Sequence, residues 1–217
     1  MAKINLGILD GFIGKVGTVV GSFWKGKPVM RAYVRSMRDA KTERQLIVRS
    51  RLKVIMELAS EALNVLKLGL HKIASSKRLT ESNIFVQMNW DNVRSNMPGV
   101  TTVNYPEIIF TSGKVPNVRF GSPQFDEPLT VTVTFMGNVD QKHADATDKV
   151  YIYAYCPDTG EGLLSDAVSR SASTMTLAVP TNWNGMKVHV WGFVIGGENG
   201  LTDEPSESVY VGTGNIG

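Results

Sequence analysis

One cysteine, three histidines and no long apolar run set the first limits on this 217-residue chain. A single thiol closes no internal disulfide and builds no thiolate metal cluster. Cys156 ends the alternating run Val150-Tyr-Ile-Tyr-Ala-Tyr-Cys156. It reads as a packed strand residue, with no base or cation beside it in sequence to activate it. His71, His143 and His189 lie far apart, in different expected elements, and no two have the spacing of metal ligands. No metal and no cofactor is therefore expected. His189 alternates with Val188 and Val190 and reads as a strand-surface histidine. No window approaches the eighteen or so consecutive apolar residues of a membrane-spanning helix. The opening Met-Ala-Lys-Ile-Asn-Leu-Gly-Ile-Leu-Asp has no apolar h-region of secretory length. The expected location is cytoplasmic, with non-classical export and packaging in a virion left open.

Catalytic motifs are also missing. There is no Gly-x-Ser-x-Gly elbow and no His-Glu-x-x-His. Gly21-Ser-Phe-Trp-Lys-Gly26-Lys27-Pro28 has the glycine spacing and lysine of a phosphate-binding loop. Pro28 stands where the magnesium-binding Ser or Thr belongs, and its flanks read as strands rather than as the start of a helix. Gly14-Lys-Val-Gly17 has the spacing of a backbone-clamping GxxG loop, but such loops join two helices and neither flank here reads as one. The carboxylates after residue 120 cluster in turns such as Asp126-Glu127 and Asp203-Glu204, the pattern of solvated loop charge. No catalytic residue is assigned, and the chain reads as non-enzymatic.

Charge is distributed unevenly. Residues 1–98 hold 17 Lys and Arg against 7 Asp and Glu, a net +10, and residues 99–217 hold 6 against 13, a net −7. That asymmetry points to a polyanionic partner or to docking of one half on the other. A division into a basic region 1–98 and an acidic domain 99–217 is expected, with Pro98-Gly99 at the junction.

The first 35 residues are punctuated by Gly7, Gly11, Gly14, Gly17, Gly21 and Gly26. Val16–Trp24 and Pro28–Val34 are β-rich runs flanking Lys25-Gly26-Lys27, which predicts a hairpin. Thr42-Glu-Arg-Gln45 has the form of a capping box. Leu52, Ile55, Ala59, Ala62, Leu66 and Ile73 follow at helical spacing. An unbroken helix over 43–75 would run about 50 Å, so a kink or end is expected at Gly69. A second helix is expected over 81–95, stopped by Asn96-Met-Pro-Gly99. Beyond Gly99 the period falls to two. Expected strands are 107–110, 117–120, 129–135, 149–156, 174–179, 187–195 and 206–211, the signature of an antiparallel sandwich. The fold class is α+β: an N-terminal β-hairpin with helices, then a sandwich of fibronectin or immunoglobulin type.

Gly14-Lys-Val-Gly…Val20-Gly-Ser-Phe-Trp24-Lys-Gly…Val29-Met-Arg31, followed by Thr42-x-x-Gln45 and a basic helix, resembles an uncharacterised bacterial family of about this length. That family is common in gut anaerobes and is catalogued as a domain of unknown function. Its members often carry a proline-rich stretch before the Thr, where this chain has Val34-Arg-Ser-Met-Arg-Asp-Ala. The resemblance implies no activity and transfers no functional residue.

The candidate binding residues are Trp24, Lys25, Lys27, Arg31, Arg35 and Arg38, which with Tyr33 form a compact basic–aromatic segment. The leading reading is a structural or protein-interaction protein, with a protein partner or self-association. The alternative is a nucleic-acid-binding protein that uses these cations on phosphates and these rings on bases. Their spatial arrangement decides between the two: a single open stripe favours nucleic acid.

Overall fold

The computed structural model describes residues 12–24, 26–36, 39–126, 128–139, 143–197 and 203–217, and the backbone of residues 3–4. The chain forms two compact units, Met1–Lys41 and Thr42–Gly217.

The first unit is an antiparallel sheet of β1 (Lys3–Ile4), β2 (Phe12–Val16), β3 (Val19–Trp24) and β4 (Lys27–Ala32), in that spatial order. The expected hairpin is the β3–β4 pair, and β2 joins it through a turn at Gly17. Gly17 and Gly26 have φ of +57° and +80°, turn conformations that favour glycine. The flanks of Gly21–Pro28 are strands, as read from the sequence. Gly14 lies in β2, so the Gly14–Gly17 spacing also belongs to a strand and its turn.

The second unit begins with α1 (Glu43–Glu61), α2 (Leu63–Lys77) and α3 (Glu81–Asn89), then the hairpin β5 (Val93–Met97) and β6 (Val100–Val103). Among the described residues nine strands follow: β7 (Arg119–Phe120), β8 (Gln124–Asp126), β9 (Thr130–Met136), β10 (Lys149–Cys156), β11 (Glu161–Leu164), β12 (Val168–Ser169), β13 (Thr174–Ala178), β14 (Lys187–Ile195) and β15 (Val209–Asn215). One sheet runs β11-β10-β14-β15 with β12 also on β10. The other runs β13-β9-β7 with β8 also on β9. All described pairings are antiparallel.

The helical reading is corrected in three places. Thr42 caps α1 by position, but its side chain makes no capping hydrogen bond. The break falls at Ala62 (φ −84°, ψ 10°), not at Gly69. Gly69 lies inside α2, where an added Cβ would stand 2.1 Å from Thr111 Cγ2, so the glycine serves close packing of the 108–112 segment. The second helix stops at Asn89, with a 3-10 turn over Trp90–Asn92. The residues expected to finish it form β5, and Pro98-Gly99 is the β5–β6 turn, with Gly99 at φ +80°.

Three layers result. Along β10, Val150, Ile152, Ala154 and Cys156 enter the core between the two sheets, while Tyr153 and Tyr155 enter the core under the helices. In β14, Val188, Val190 and Val194 face the other sheet, and Trp191, Phe193 and Ile195 face the helices. Side chains alternate across a strand, so a strand covered on both sides reads as a nearly continuous apolar run. Phe110 locks the helical layer in place, edge-on to both Tyr153 and Trp191 at 4.9 Å and stacked on Phe85 at 5.3 Å. Each such buried aromatic contributes on the order of 2–3 kcal/mol relative to leaving it in water. The change of period and charge at 98/99 therefore falls inside the second unit. The helices share one hydrophobic core with the sheet, and the compact units divide at 41/42 instead.

Candidate interaction surface of the N-terminal sheet

Directly paired residues in an antiparallel ladder point to the same face. Lys15 pairs with Val20 and Val20 with Arg31, while Ser22 pairs with Val29 and Trp24 with Lys27. Ile13, Lys15, Val20, Ser22, Trp24, Lys27, Val29 and Arg31 thus share one face. Phe12, Val16, Val19, Phe23, Pro28, Met30 and Ala32 share the other with Gly14 and Gly21. Among the described residues of β2–β4, the first face holds three cations and no carboxylate, and the second holds no charged residue.

On the uncharged face Phe12 lies over Gly21, where an added Cβ would meet the Phe12 ring at 2.7 Å and its carbonyl oxygen at 2.1 Å. Elsewhere on this face Met30 is 67% exposed, Val16 52% and Phe23 42%. On the cationic face Lys15 Nζ sits 3.6 Å from the centre of the Tyr33 ring. The backbone N–H of Tyr33 donates to the Thr18 carbonyl at 2.7 Å, which carries the strand geometry one residue past β4. Lys15, Val20, Arg31 and Tyr33 line a shallow cleft of about 480 Å³.

Of the six residues proposed from sequence, Trp24, Lys27 and Arg31 come together on one face. Arg35 is exposed in a bend beyond the last strand and does not lie in the ladder. Lys25 and Arg38 lie outside the described residues. Lys15 was missed. Its signal was a position one residue after Gly14 in a run that had to be a strand, and nothing local says so.

The second unit buries an ion pair. Asp148 and Arg170 form a buried pair, Oδ2 to Nε at 2.9 Å, with side chains 2% and 0% exposed. Arg170 also donates to the carbonyls of Gly137 and Pro116. Asp148 accepts from the backbone N–H of Gly197 at 2.8 Å and of Asp145 at 3.0 Å. These bonds tie the segments around Pro116, Gly137, Asp145 and Gly197 to one buried pair.

His189 is buried, which corrects its reading as a surface residue. Its register places it on the helical side of β14, where it stacks on Tyr105 at 4.3 Å and shares a hydrogen bond between Nδ1 and the Tyr210 hydroxyl at 2.8 Å. Burial, with Lys187 adding to it, pushes the imidazole down to about 4, so the ring is neutral at pH 7. Nearby, burial pushes the Tyr155 phenol up to about 12. Tyr105 and Tyr155 form part of the wall of an open cleft of about 790 Å³ against α1 and β6. Cys156 is buried with its Sγ 3.8 Å from Met186 Sδ. Among the described residues no three His, Cys, Asp or Glu come together as metal ligands, and no helix is long and apolar enough to cross a membrane.

The model of a family of unknown function, DUF6266, matches residues 11–212. The chain belongs to this family. The DUF6266 match includes the cationic and uncharged faces of β2–β4 as well as both layers of the sandwich. No curated protein matches the chain. Among solved structures, the fn3 domain of human collagen alpha-1(XX) chain is similar at 13% identity and a TM-score of 0.32, covering 49% of this chain and 84% of that one.

Proposed function

We propose that this DUF6266 protein is a non-enzymatic interaction protein, with the N-terminal sheet as its binding element and the three-layer unit as a rigid carrier. The observation that carries this reading is the uncharged face of β2–β4, with Val16, Phe23 and Met30 open to solvent. A small isolated sheet is marginal in water and needs something against its apolar side. The partner this face fits first is a second copy of the chain. Residues 1–41 carry 8 Lys and Arg against 2 Asp, a net +6, which works against association of two such units. All the charge among the described ladder residues lies on the opposite face, so two uncharged faces can stack as aligned sheets at about 10 Å with no like charges between them.

Sedimentation velocity of the full chain over a wide concentration range tests this. The wild type self-associates, while Phe23→Glu/Met30→Glu stays monomeric with an unchanged melt of the second unit. A wild type that remains monomeric throughout would count against the reading.

A further inference from the structure

We propose that the opposite, cationic face of the same sheet binds single-stranded nucleic acid. This goes beyond the self-association reading and uses different residues, so either can fail without the other. The site combines Lys15, Lys27 and Arg31 with the rings of Trp24 and Tyr33, 64% and 41% exposed. The register aligns Lys15 with Arg31 across β3 and sets Lys27 beside Trp24 at the far end of the hairpin.

Charge complementarity selects a polyanion. The described residues of this face include no carboxylate, so bound phosphates meet no like charge. An ordinary solvent face of a small sheet mixes both signs. The exposed rings then select among polyanions. A duplex keeps its bases stacked on each other and offers none to a protein ring, whereas a single strand leaves each base a face to stack on. Tyr33 lies nine residues from Trp24 in sequence. Lys27 is opposite Trp24, so the two rings stand about six residues apart along β4, roughly 20 Å. That reach suits a site at the short end of single-strand binders, about four nucleotides. Lys15 Nζ lies 3.6 Å over one face of the Tyr33 ring, so a base stacks on the opposite face and its phosphate reaches the ammonium around the ring edge. Ser22, between Val20 and Trp24 on the same face, adds a neutral hydroxyl between the charged ends.

Fluorescence anisotropy of the full chain with labelled dT12, rU12 and a 12-base-pair duplex tests the assignment. With three phosphate contacts the log–log salt slope on single strands is about −2, which lowers affinity roughly 20-fold between 50 and 200 mM salt. Lys15→Gln/Lys27→Gln/Arg31→Gln flattens that slope. Trp24→Ala weakens single-strand binding by about five-fold or more with little change in slope, and Trp24→Phe restores most of it. Circular dichroism establishes that each variant keeps its fold, and Trp24→Leu, apolar but without a ring, serves as the reading if Trp24→Ala does not. Absence of single-strand binding at 50 mM salt overturns the proposal. So does duplex binding, or binding to vesicles rich in phosphatidylserine, that equals single-strand binding and ignores Trp24.

Discussion

In β10, Ile152 and Ala154 face one hydrophobic layer and Tyr153 and Tyr155 the other; in β4, all six residues from Lys27 to Ala32 are exposed. Both strands obey the same period of two. They differ in what lies above and below. β10 is covered by helices on one side and by a second sheet on the other, so its alternation sorts residues between two cores. β4 ends the described order of its sheet and all six of its residues are exposed, so its alternation sorts residues between two surfaces. A strand pattern therefore states which residues share a face, and the neighbours decide whether that face is core or interface.

The largest expected effect comes from stripping β10 of a layer. A fragment of residues 102–217 lacks α1–α3 and exposes Tyr153, Trp191 and Phe193, which are 0–1% exposed in the intact chain. It is expected to lose a cooperative thermal melt and its near-ultraviolet dichroism. A fragment of residues 42–217 is expected to keep both. Cooperative melting of the shorter fragment would show that the helical layer is dispensable and that the charge boundary is also a folding boundary.

Asp148→Ala comes next. It leaves the Arg170 guanidinium buried without its counter-charge, at a cost of about 3–5 kcal/mol in urea-induced unfolding. The double variant Asp148→Leu/Arg170→Met is expected to lose less than Asp148→Ala alone, because no uncompensated charge remains. A double variant that loses as much as Asp148→Ala or more would mean that the uncompensated charge is not the source of the loss.

The smallest effect is pH-dependent. The fold holds His189 neutral, with its pKa at about 4 against an ordinary 6.5. The stability tied to that ring is complete above the unfolded value near 6.5 and is lost as pH falls toward 4, because the unfolded chain takes up the proton first. The loss approaches roughly 3 kcal/mol. Denaturation of wild type and His189→Phe at pH 7.5 and pH 4.5 isolates it from the carboxylates that titrate in the same range. The variant is expected to lose that much less stability between the two pH values, while forfeiting the Tyr210 hydrogen bond at both. Equal losses would mean that the imidazole is solvated.

Much of the secondary structure could be read locally. The hairpin around Gly26, the strand from Lys149 to Cys156 and the strand from Lys187 to Ile195 follow from β-branched and aromatic runs bounded by turns. β5 was hidden because Val93–Met97 continues a helical stripe, and only its pairing with β6 makes it a strand. Short β8, β11 and β12 were hidden because they are held by ladder bonds to β9 and β10 rather than by their own propensity. Gly69 looked like a helix breaker because the sequence does not show Thr111 pressing against it.

Composition and period by themselves determined the α+β class, the buried thiol at Cys156 and the basic–aromatic character of residues 24–35. These are properties of neighbours in sequence, set by side-chain type and strand or helix repeat. Only the tertiary structure decided that Lys15 joins Arg31 across β3, that Asp148 meets Arg170, that His189 is buried and that the helices share a core with β10 and β14. Each of those is a meeting of residues distant along the chain. Register and layer stacking bring them together, and no local repeat encodes which distant segment will supply the partner.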